Sequence, residues 1–451
     1  MEKRTFLKRM GQLAAASPFL MHPGATAARS LDATAHEVGP AFPSGTGVHP
    51  PKPFVTGSRS GSPAALRGLQ GNELWERVRA DYELKEGYIN LESGYYNIIP
   101  RPTLEAFLEK VRMVNREGAY YMRTVQWENK ARIAARLAGL LGCGADELIL
   151  TRNTTESLDM IIGGYPWKAG DEAVYAEQDY GAMQMQFGQV AARFGVVNRV
   201  VSLPLHPASD AEIVNLYESA ITPRTRLLMV CHMVNITGQI LPIRKICEMA
   251  HSHGVEVLVD GAHCVGHFPV DIPALDCDYY GSSLHKWLAA PLGAGMLYVR
   301  KEHIPRIWPL LAEHHREPTD IGRLNHTGTH PVHTDLAIDA ALDYLEALGL
   351  ERKSDRLRHL QRSWTEPLRG VKGVRINTPE EPRRSCAIAN VGVDHLTPAG
   401  LADVLFDEFG IYTVAIDGAG VRGCRITPNV FNTEAEMEHL VEAITTLAAR
   451  G

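Results

Sequence analysis

The stretch from Gly254 to Arg300, GVEVLVDGAHCVGHFPVDIPALDCDYYGSSLHKWLAAPLGAGMLYVR, constrains the fold more than any other part of the chain. Val255 to Val259 is a short apolar run rich in β-branched residues, the composition of a strand covered on both faces. Asp260 closes it. A carboxylate at the carboxyl end of a parallel strand looks into the crevice where open α/β sheets hold ligands, so Asp260 is placed to meet one. Two more short runs follow, Cys277 to Tyr280 and Met296 to Val299, the second after the Gly-rich turn Pro291 to Gly295. Between them lies Ser283-Leu284-His285-Lys286-Trp287. A lysine in such an apolar setting is costly to bury unless it is neutralised or used.

An Asp at the end of a strand, followed one crossover later by Ser-x-His-Lys, resembles the class V aminotransferase group of pyridoxal-phosphate (PLP) enzymes. That group includes cysteine desulfurases, kynureninase, selenocysteine lyase and isopenicillin N epimerase. The likeness runs, more loosely, from about Tyr88 to the C-terminus. It implies the α/β fold of type I PLP-dependent transferases: a central, mostly parallel sheet sandwiched by helices, plus a smaller α+β lobe. It also implies PLP as cofactor. PLP acts as an electron sink only while its pyridine nitrogen stays protonated, which takes a carboxylate, and only if a lysine holds it as an exchangeable Schiff base. Asp260 and Lys286 fill those roles. Either alone also reads as a surface Asp or a snorkelling Lys; the pair in this setting reads as a site.

A chain of 451 residues exceeds what one core usually holds, so two lobes are expected. With 22% charged residues, a net charge of −6 and no basic cluster, the composition gives no footprint for nucleic acid. Residues 1–28 read as an export signal, with a basic start at Lys3-Arg4, a mildly apolar core from Gly11 to Met21 and small residues at Ala25-Thr26-Ala27. The apolar run is too short to span a bilayer. Lys-Arg followed by Phe-Leu-Lys resembles a twin-arginine (Tat) signal with its first arginine replaced by lysine, which implies export to the periplasm; a basic cytoplasmic N-terminus is the alternative. Residues 29–71 form a Pro/Gly/Ser-rich linker or arm. Residues 72–118 join the small lobe, 119–334 form the large PLP-binding domain, and 335–451 form the small C-terminal domain. Seven scattered cysteines show no paired spacing and read as core thiols. His251, His253, His263 and His267 cluster in sequence, but Gly266 and Pro269 break the rigid face a zinc site needs, so no metal is expected.

Helical periodicity begins near Asn72 and ends before Gly87, and Tyr88 to Leu91 reads as a strand. It leads into the loop Glu92 to Asn97, which carries Tyr95 and Tyr96. Residues 103–142 read as helical with a break near Glu117-Gly118. Glu147 to Leu150 is the first strand of the large lobe, with a helix from Ser157. The intervening Thr154-Thr155 present hydroxyls and backbone N–H groups as a phosphate-binding helix start does, or serve as a plain capping box with Asn153 and Glu156. After the strand Glu172 to Ala176, Tyr180 matches the ring that family members stack on the pyridine, or is a structural tyrosine under a loop. After the strand Arg226 to Val230, Asn235 resembles the family's Asn-x-x-Gly contact to the phenolic oxygen, and His232 lines the site or packs. A helix from Ile243 to His253 returns to the central strand. Strands alternating with helices over 147–300 imply a parallel sheet with right-handed crossovers.

His263 either bonds the phenolic oxygen or lies against the ring. Ser283 and His285 are expected to reach the phosphate. The resemblance implies that Thr329, in Gly328-Thr329, reaches a neighbour's phosphate in a homodimer with composite sites. An amphipathic helix is expected over Asp335 to Leu348, then a helix from Glu351 to Leu368, strands near Val374 to Ile376 and Cys386 to Val393, and a helix from Pro398 to Phe409. Arg425, in an Arg-Ile-Thr like the family's Arg-Ile-Ser, reads as the clamp on a substrate α-carboxylate, or as an Arg paired with a nearby acid.

The freed Lys286 is the expected general base at the α-carbon. Proton return to the other face gives epimerisation, loss of a β-substituent gives a lyase, and proton transfer to the coenzyme gives transamination; one residue set serves all three. No cysteine lies between Tyr412 and Gly423, where a desulfurase nucleophile belongs, and Cys424 adjoins Arg425. His263 and the segment Glu177 to Gly181 resemble isopenicillin N epimerase-like members. Epimerase or β-lyase chemistry on an amino acid or its derivative is therefore the expectation, with an aminotransferase of the same group, or a non-catalytic PLP-binding sensor or scaffold, as alternatives. Specificity falls to loops such as Tyr95-Tyr96 and His314-His315.

Overall fold

The structure, a computed structural model, describes residues 63–312 and 316–451. The segment expected to be an export signal, the expected linker up to residue 62 and His314-His315 lie outside the described residues.

Helix α1 (Gly71–Ala80) stops well short of Gly87. Asp81 ends it: its carboxylate is taken by Arg77 and Tyr344, and its carbonyl accepts from Arg101 N–H. Strand β1 (Ile89–Asn90) pairs in parallel with β11 (Ile411–Tyr412), tying this early segment to the far end of the chain. Helix α2 (Arg101–Thr124) breaks at Gly118, whose φ of 53° and ψ of −131° are non-helical, and α3 (Gln126–Leu141) ends on the left-handed Gly142.

The large sheet comprises β2 (Leu148–Thr151), β3 (Glu172–Ala176), β4 (Val197–Val201), β5 (Thr225–Cys231), β6 (Glu256–Asp260), β7 (Tyr279–Ser283) and β8 (Gly295–Val299), in the spatial order β2-β8-β7-β6-β5-β3-β4. Helices α4 (Thr154–Gly164), α5 (Gly181–Phe194), α6 (Asp210–Ala220) and α7 (Ile243–Ser252) make the crossovers, and α8 (Ile272–Leu275) is a single turn capped by Asp271. Alternation along the central strands shows why both faces are covered. Leu228, Val230, Val257 and Val259 enter one core with Ile246 of α7, whereas Leu227, Met229 and Leu258 enter a second with Ile161 of α4 and Phe187 of α5. Each such aliphatic side chain contributes about 2 kcal/mol of burial.

The parallel reading fails at one place. β8 runs antiparallel to both β7 and β2. No helix intervenes between Ser283 and Gly295, and a parallel return needs a long crossover. The segment carrying Lys286 is thus a hairpin-like connection at the carboxyl end of β7. That strand also lies later than its apolar run implied, because pairing with β6 and β8 recruits Gly281, Ser282 and Ser283 despite their low strand preference.

Helix α9 (Val332–Leu348) is buried on nearly all sides against α2 and α3, so it is a core helix and not the amphipathic one expected. Beyond it, α10 (Leu350–Leu368), α11 (Pro398–Phe409) and α12 (Glu434–Ala448) pack on a four-stranded antiparallel sheet ordered β12 (Val414–Gly418), β13 (Val421–Ile426), β10 (Ala389–Val393), β9 (Val374–Ile376). The core of this lobe includes Leu360, Trp364, Val391, Leu405 and Leu440, with Leu91 from the N-terminal side.

Candidate active site

The carboxyl ends of β2, β3, β5, β6 and β7 open on one edge of the sheet, and the residues that follow them line a cavity of about 310 Å3. Thr154, Thr155, Tyr180, Asn235, Asp260, His263, Ser283, His285, Lys286 and Arg425 all border it. Thr329 does not; it is exposed, outside the cavity. His232 packs instead of lining the site, its Nδ1 3.1 Å from Tyr280 Oη and its ring edge-on to Phe268.

Helix α4 starts at Thr154, not Ser157, so both threonines sit in its first turn. Asn153 caps it by accepting from Glu156 N–H at 2.9 Å. Thr154 N–H donates to Ser283 Oγ at 3.0 Å, and the Thr154 and Ser283 hydroxyls lie 2.8 Å apart. Thr155 N–H has no acceptor among the described residues. A positive helix end with a bare N–H and two hydroxyls suits a phosphate. The capping and phosphate readings of this turn are therefore compatible.

Asp260 is almost fully buried, and its Oδ1 accepts from Ala262 N–H at 2.9 Å. Burial holds its carboxyl above the usual value, opposed by that N–H and by the Lys286 charge. Its other oxygen has no protein partner among the described residues. Lys286 Nζ lies 3.1 Å from His263 Nε2, and Trp287 Nε1–H donates to His263 Nδ1 at 3.2 Å. Burial lowers the lysine to about 8, with Asp260 resisting and Arg425 assisting. Burial also lowers His263 well below its ordinary value, helped by Lys286 and Arg425. A buried acid, an amine whose charge is opposed by burial and an anion-ready helix end around one cavity are the donor set PLP requires, so the site fits that cofactor.

Arg425 is both lining and paired. Its Nη2 donates to Glu92 Oε1 at 2.5 Å and its Nε to Glu92 Oε2 at 3.3 Å, while Nη1 reaches Asn235 O at 3.3 Å. One edge of the fork is thus spent on Glu92, and Nη1 is shared with Asn235 O at the cavity wall. Gly94 passes so close that a Cβ would lie 2.9 Å from Arg425 Cζ. The sequence reading missed Glu92 as a site residue, since a single acid in an irregular loop carries no periodic signal. It also passed over Trp287 and the Gln178 Nε2–H bond to Ala419 O, 3.1 Å, which ties the loop after β3 to the β12–β13 turn.

The histidines weighed for zinc have separate partners: His251 meets Asp278, His253 meets Glu218, and His267 accepts from Ala387 N–H. Among the described residues no cluster of metal-ligating side chains exists.

The model of the family described as aminotransferase class-V matches residues 103–439. Isopenicillin N epimerase of Amycolatopsis lactamdurans is 31% identical over 396 residues, covering 83% of this chain and 98% of that protein. A cysteine desulfurase of Klebsiella pneumoniae is 29% identical over 401 residues, covering 82% and 97%. Among solved structures, apo cysteine desulfurase from Thermococcus onnurineus NA1 superposes with a TM-score of 0.74 at 22% identity, covering 83% of this chain and 98% of that one. A mutant of C-DES with glycine covalently linked to its PLP cofactor gives 0.72 at 24%, covering 81% and 98%. The chain belongs to the class V aminotransferase family of PLP-dependent enzymes.

Proposed function

We propose that the protein catalyses epimerisation or β-elimination at the α-carbon of an amino acid or amino-acid derivative, with Lys286 as the proton-transfer group. The carrying observation is a free amine in a cavity without a usable thiol. Cys231, which borders the cavity, is 3% exposed, and burial raises its thiol far above the ordinary value. Cys424 is fully buried in the small lobe, pushed up to about 12, with its Sγ 3.5 Å from Pro398 O. Persulfide chemistry needs a mobile, accessible thiolate. The segment just before Arg425 is instead a tight hairpin, β12–β13, pinned through Ala419.

When bound, PLP supplies the electron sink that weakens a bond to the substrate α-carbon. The chain's own residues do the rest. Asp260 would support the charged ring nitrogen, Thr154, Thr155, Ser283 and His285 would hold the phosphate, Tyr180 would flank the ring, and Asn235 would meet its phenolic oxygen. Arg425, through the N–H groups not taken by Glu92 and Asn235 O, would orient the α-carboxylate. Lys286 Nζ takes the α-proton; delivery of a proton from a second donor on the opposite face inverts the centre, whereas departure of a β-substituent gives a lyase. The similarity to an isopenicillin N epimerase over nearly its whole length supports the first outcome. We also infer a homodimer in which Thr329 serves the neighbour's site, supported by the exposed Trp127, Trp308, Leu310 and Leu311, and export through the Tat-like signal. Light scattering tests the first and cell fractionation the second.

The test of the reaction is incubation of PLP-loaded protein with an amino-acid panel in heavy water. Racemised product carrying solvent deuterium means epimerase, and pyruvate with ammonia and a released side chain means lyase. A keto acid that depends on an added amino acceptor means aminotransferase and overturns the proposal, as does the absence of both α-proton exchange and turnover.

A further inference from the structure

Four hydrogen bonds behind Lys286 run in one direction. Ala387 N–H donates to His267 Nε2 at 3.0 Å, so neutral His267 carries its hydrogen on Nδ1, which lies 2.7 Å from His263 O. The His267 ring stacks on Trp287 with centroids 3.8 Å apart and planes 17° apart. Lys353 Nζ donates to Trp287 O from α10, so both the ring and the main chain of Trp287 are held. An indole nitrogen only donates, and Trp287 Nε1 donates to His263 Nδ1. That nitrogen is therefore a lone pair, and the hydrogen of neutral His263 must be on Nε2, facing Lys286 Nζ at 3.1 Å.

We infer that Trp287 is a positioning residue: it locks His263 as a permanent N–H donor toward Lys286 and thereby removes His263 from the groups that can accept a proton from substrate. The inference rests on the PLP reading of the site and specifies how its proton chemistry is divided. A locked Nε2–H can be accepted only by the lone pair of a neutral amine, since an ammonium would face it donor to donor. The contact therefore favours the neutral form of free Lys286 over its ammonium. Once it has taken the α-proton, the same N–H opposes its charge and favours handing the proton back to carbon. A two-base exchange using His263 as the second base is excluded, because His263 Nε2 is already protonated and Nδ1 is occupied. The charged and titratable groups around the pair are Asp260, Glu92, Arg425, Cys231, His267 and His285, and none is altered in the variants below.

The tautomer is directly readable in the wild-type protein by long-range nitrogen–proton correlation with 15N-histidine, His263 being assigned by its loss in His263→Gln. The expected result, with and without PLP, is a pyrrole-like Nε2 and a pyridine-like Nδ1; the reverse assignment overturns the lock. The second readout is the pH midpoint for covalent attachment of PLP to the cofactor-free protein, followed by absorbance. Trp287→Phe should raise that midpoint by about one unit, slowing attachment roughly tenfold at pH 7. His263→Gln should preserve the midpoint, because an amide accepts from the indole through oxygen and donates through nitrogen, whereas His263→Leu should raise it. An unchanged midpoint in folded Trp287→Phe, or in His263→Leu, sinks the inference. Should Trp287→Phe not fold, the wild-type tautomer and the His263 pair still decide. Failure of turnover on every amino acid with the tautomer intact would count against the reaction and not the lock.

Discussion

Replacing Lys286 by methionine should stabilise the cofactor-free protein at neutral pH and destabilise it in strong alkali. Lys286 is lowered from 10.5 to about 8, chiefly by burial. Keeping its ammonium in the folded state therefore costs stability, in the opposite sense to a lysine that gains a partner. The penalty is fully present below about pH 8, shrinks above it once the folded lysine gives up its proton while the unfolded chain keeps it, and is gone above about 10.5. A displacement of that size is worth ~3 kcal/mol, trimmed by water in the cavity. Methionine removes the penalty but leaves His263 Nε2–H without its acceptor, at about 1 kcal/mol independent of pH. The net gain is roughly 2 kcal/mol at pH 7, crossing zero and reaching about −1 kcal/mol near pH 10.5. Lys353, lowered to about 7, titrates equally in both proteins and cancels in the difference. Urea unfolding of cofactor-free wild type and variant from pH 7 to 10.5 measures it. A difference that stays flat with pH, or a wild type that is the more stable at pH 7, would show that the Lys286 amine is not held against its charge.

Glu92→Ala leaves the Arg425 guanidinium buried without its carboxylate and should cost about 3–5 kcal/mol in urea unfolding, whereas a Glu92→Leu, Arg425→Met pair should recover most of it. Gly238→Ala should cost more than ~2 kcal/mol, because φ is +75° there and a Cβ would lie 1.9 Å from Ile388 O. Its second readout is a weakened cofactor, since Gly238 ends the turn that carries Asn235.

The strand-closing Asp260, the lysine segment and the Thr154-Thr155 turn were legible because each joins a periodicity to a chemically odd residue. Boundaries failed where pairing overrode local preference, as in Gly281-Ser282-Ser283 of β7. The direction of β8 was hidden because a chain reversal without a helix leaves no mark in a strand's own composition. The β12–β13 hairpin went unread for a related reason: both turn residues, Ala419 and Gly420, have positive φ, but the first is Ala and not the Asn or Asp that signals such turns. Glu92 and Trp287 act through partners hundreds or tens of residues away, and only the fold brings them together.

His285 carries the last prediction, because the structure fixes which of its nitrogens is bare. Its Nδ1 lies 3.0 Å from Ala294 O, and a carbonyl only accepts, so the ring hydrogen is on Nδ1. Burial, aided by Lys286, lowers the ring to about 4, leaving Nε2 a lone pair near neutrality. A phosphate oxygen is also only an acceptor there. On the reading that His285 reaches the phosphate, the contact forms only if Nε2 takes a proton, which the incoming dianion favours by raising the ring's affinity for it. Binding should then take up to one proton, and affinity should fall by up to about tenfold per pH unit from pH ~6, where the phosphate becomes a dianion, to the raised value in the complex. The remaining donors, Thr154, Thr155 and Ser283, are neutral and add no such slope. Calorimetry of pyridoxamine phosphate binding in buffers of different ionisation heat reads the proton count directly. His285→Asn should abolish that proton uptake, since an amide donates without protonation; equal uptake in variant and wild type would place the proton elsewhere and remove His285 from the phosphate.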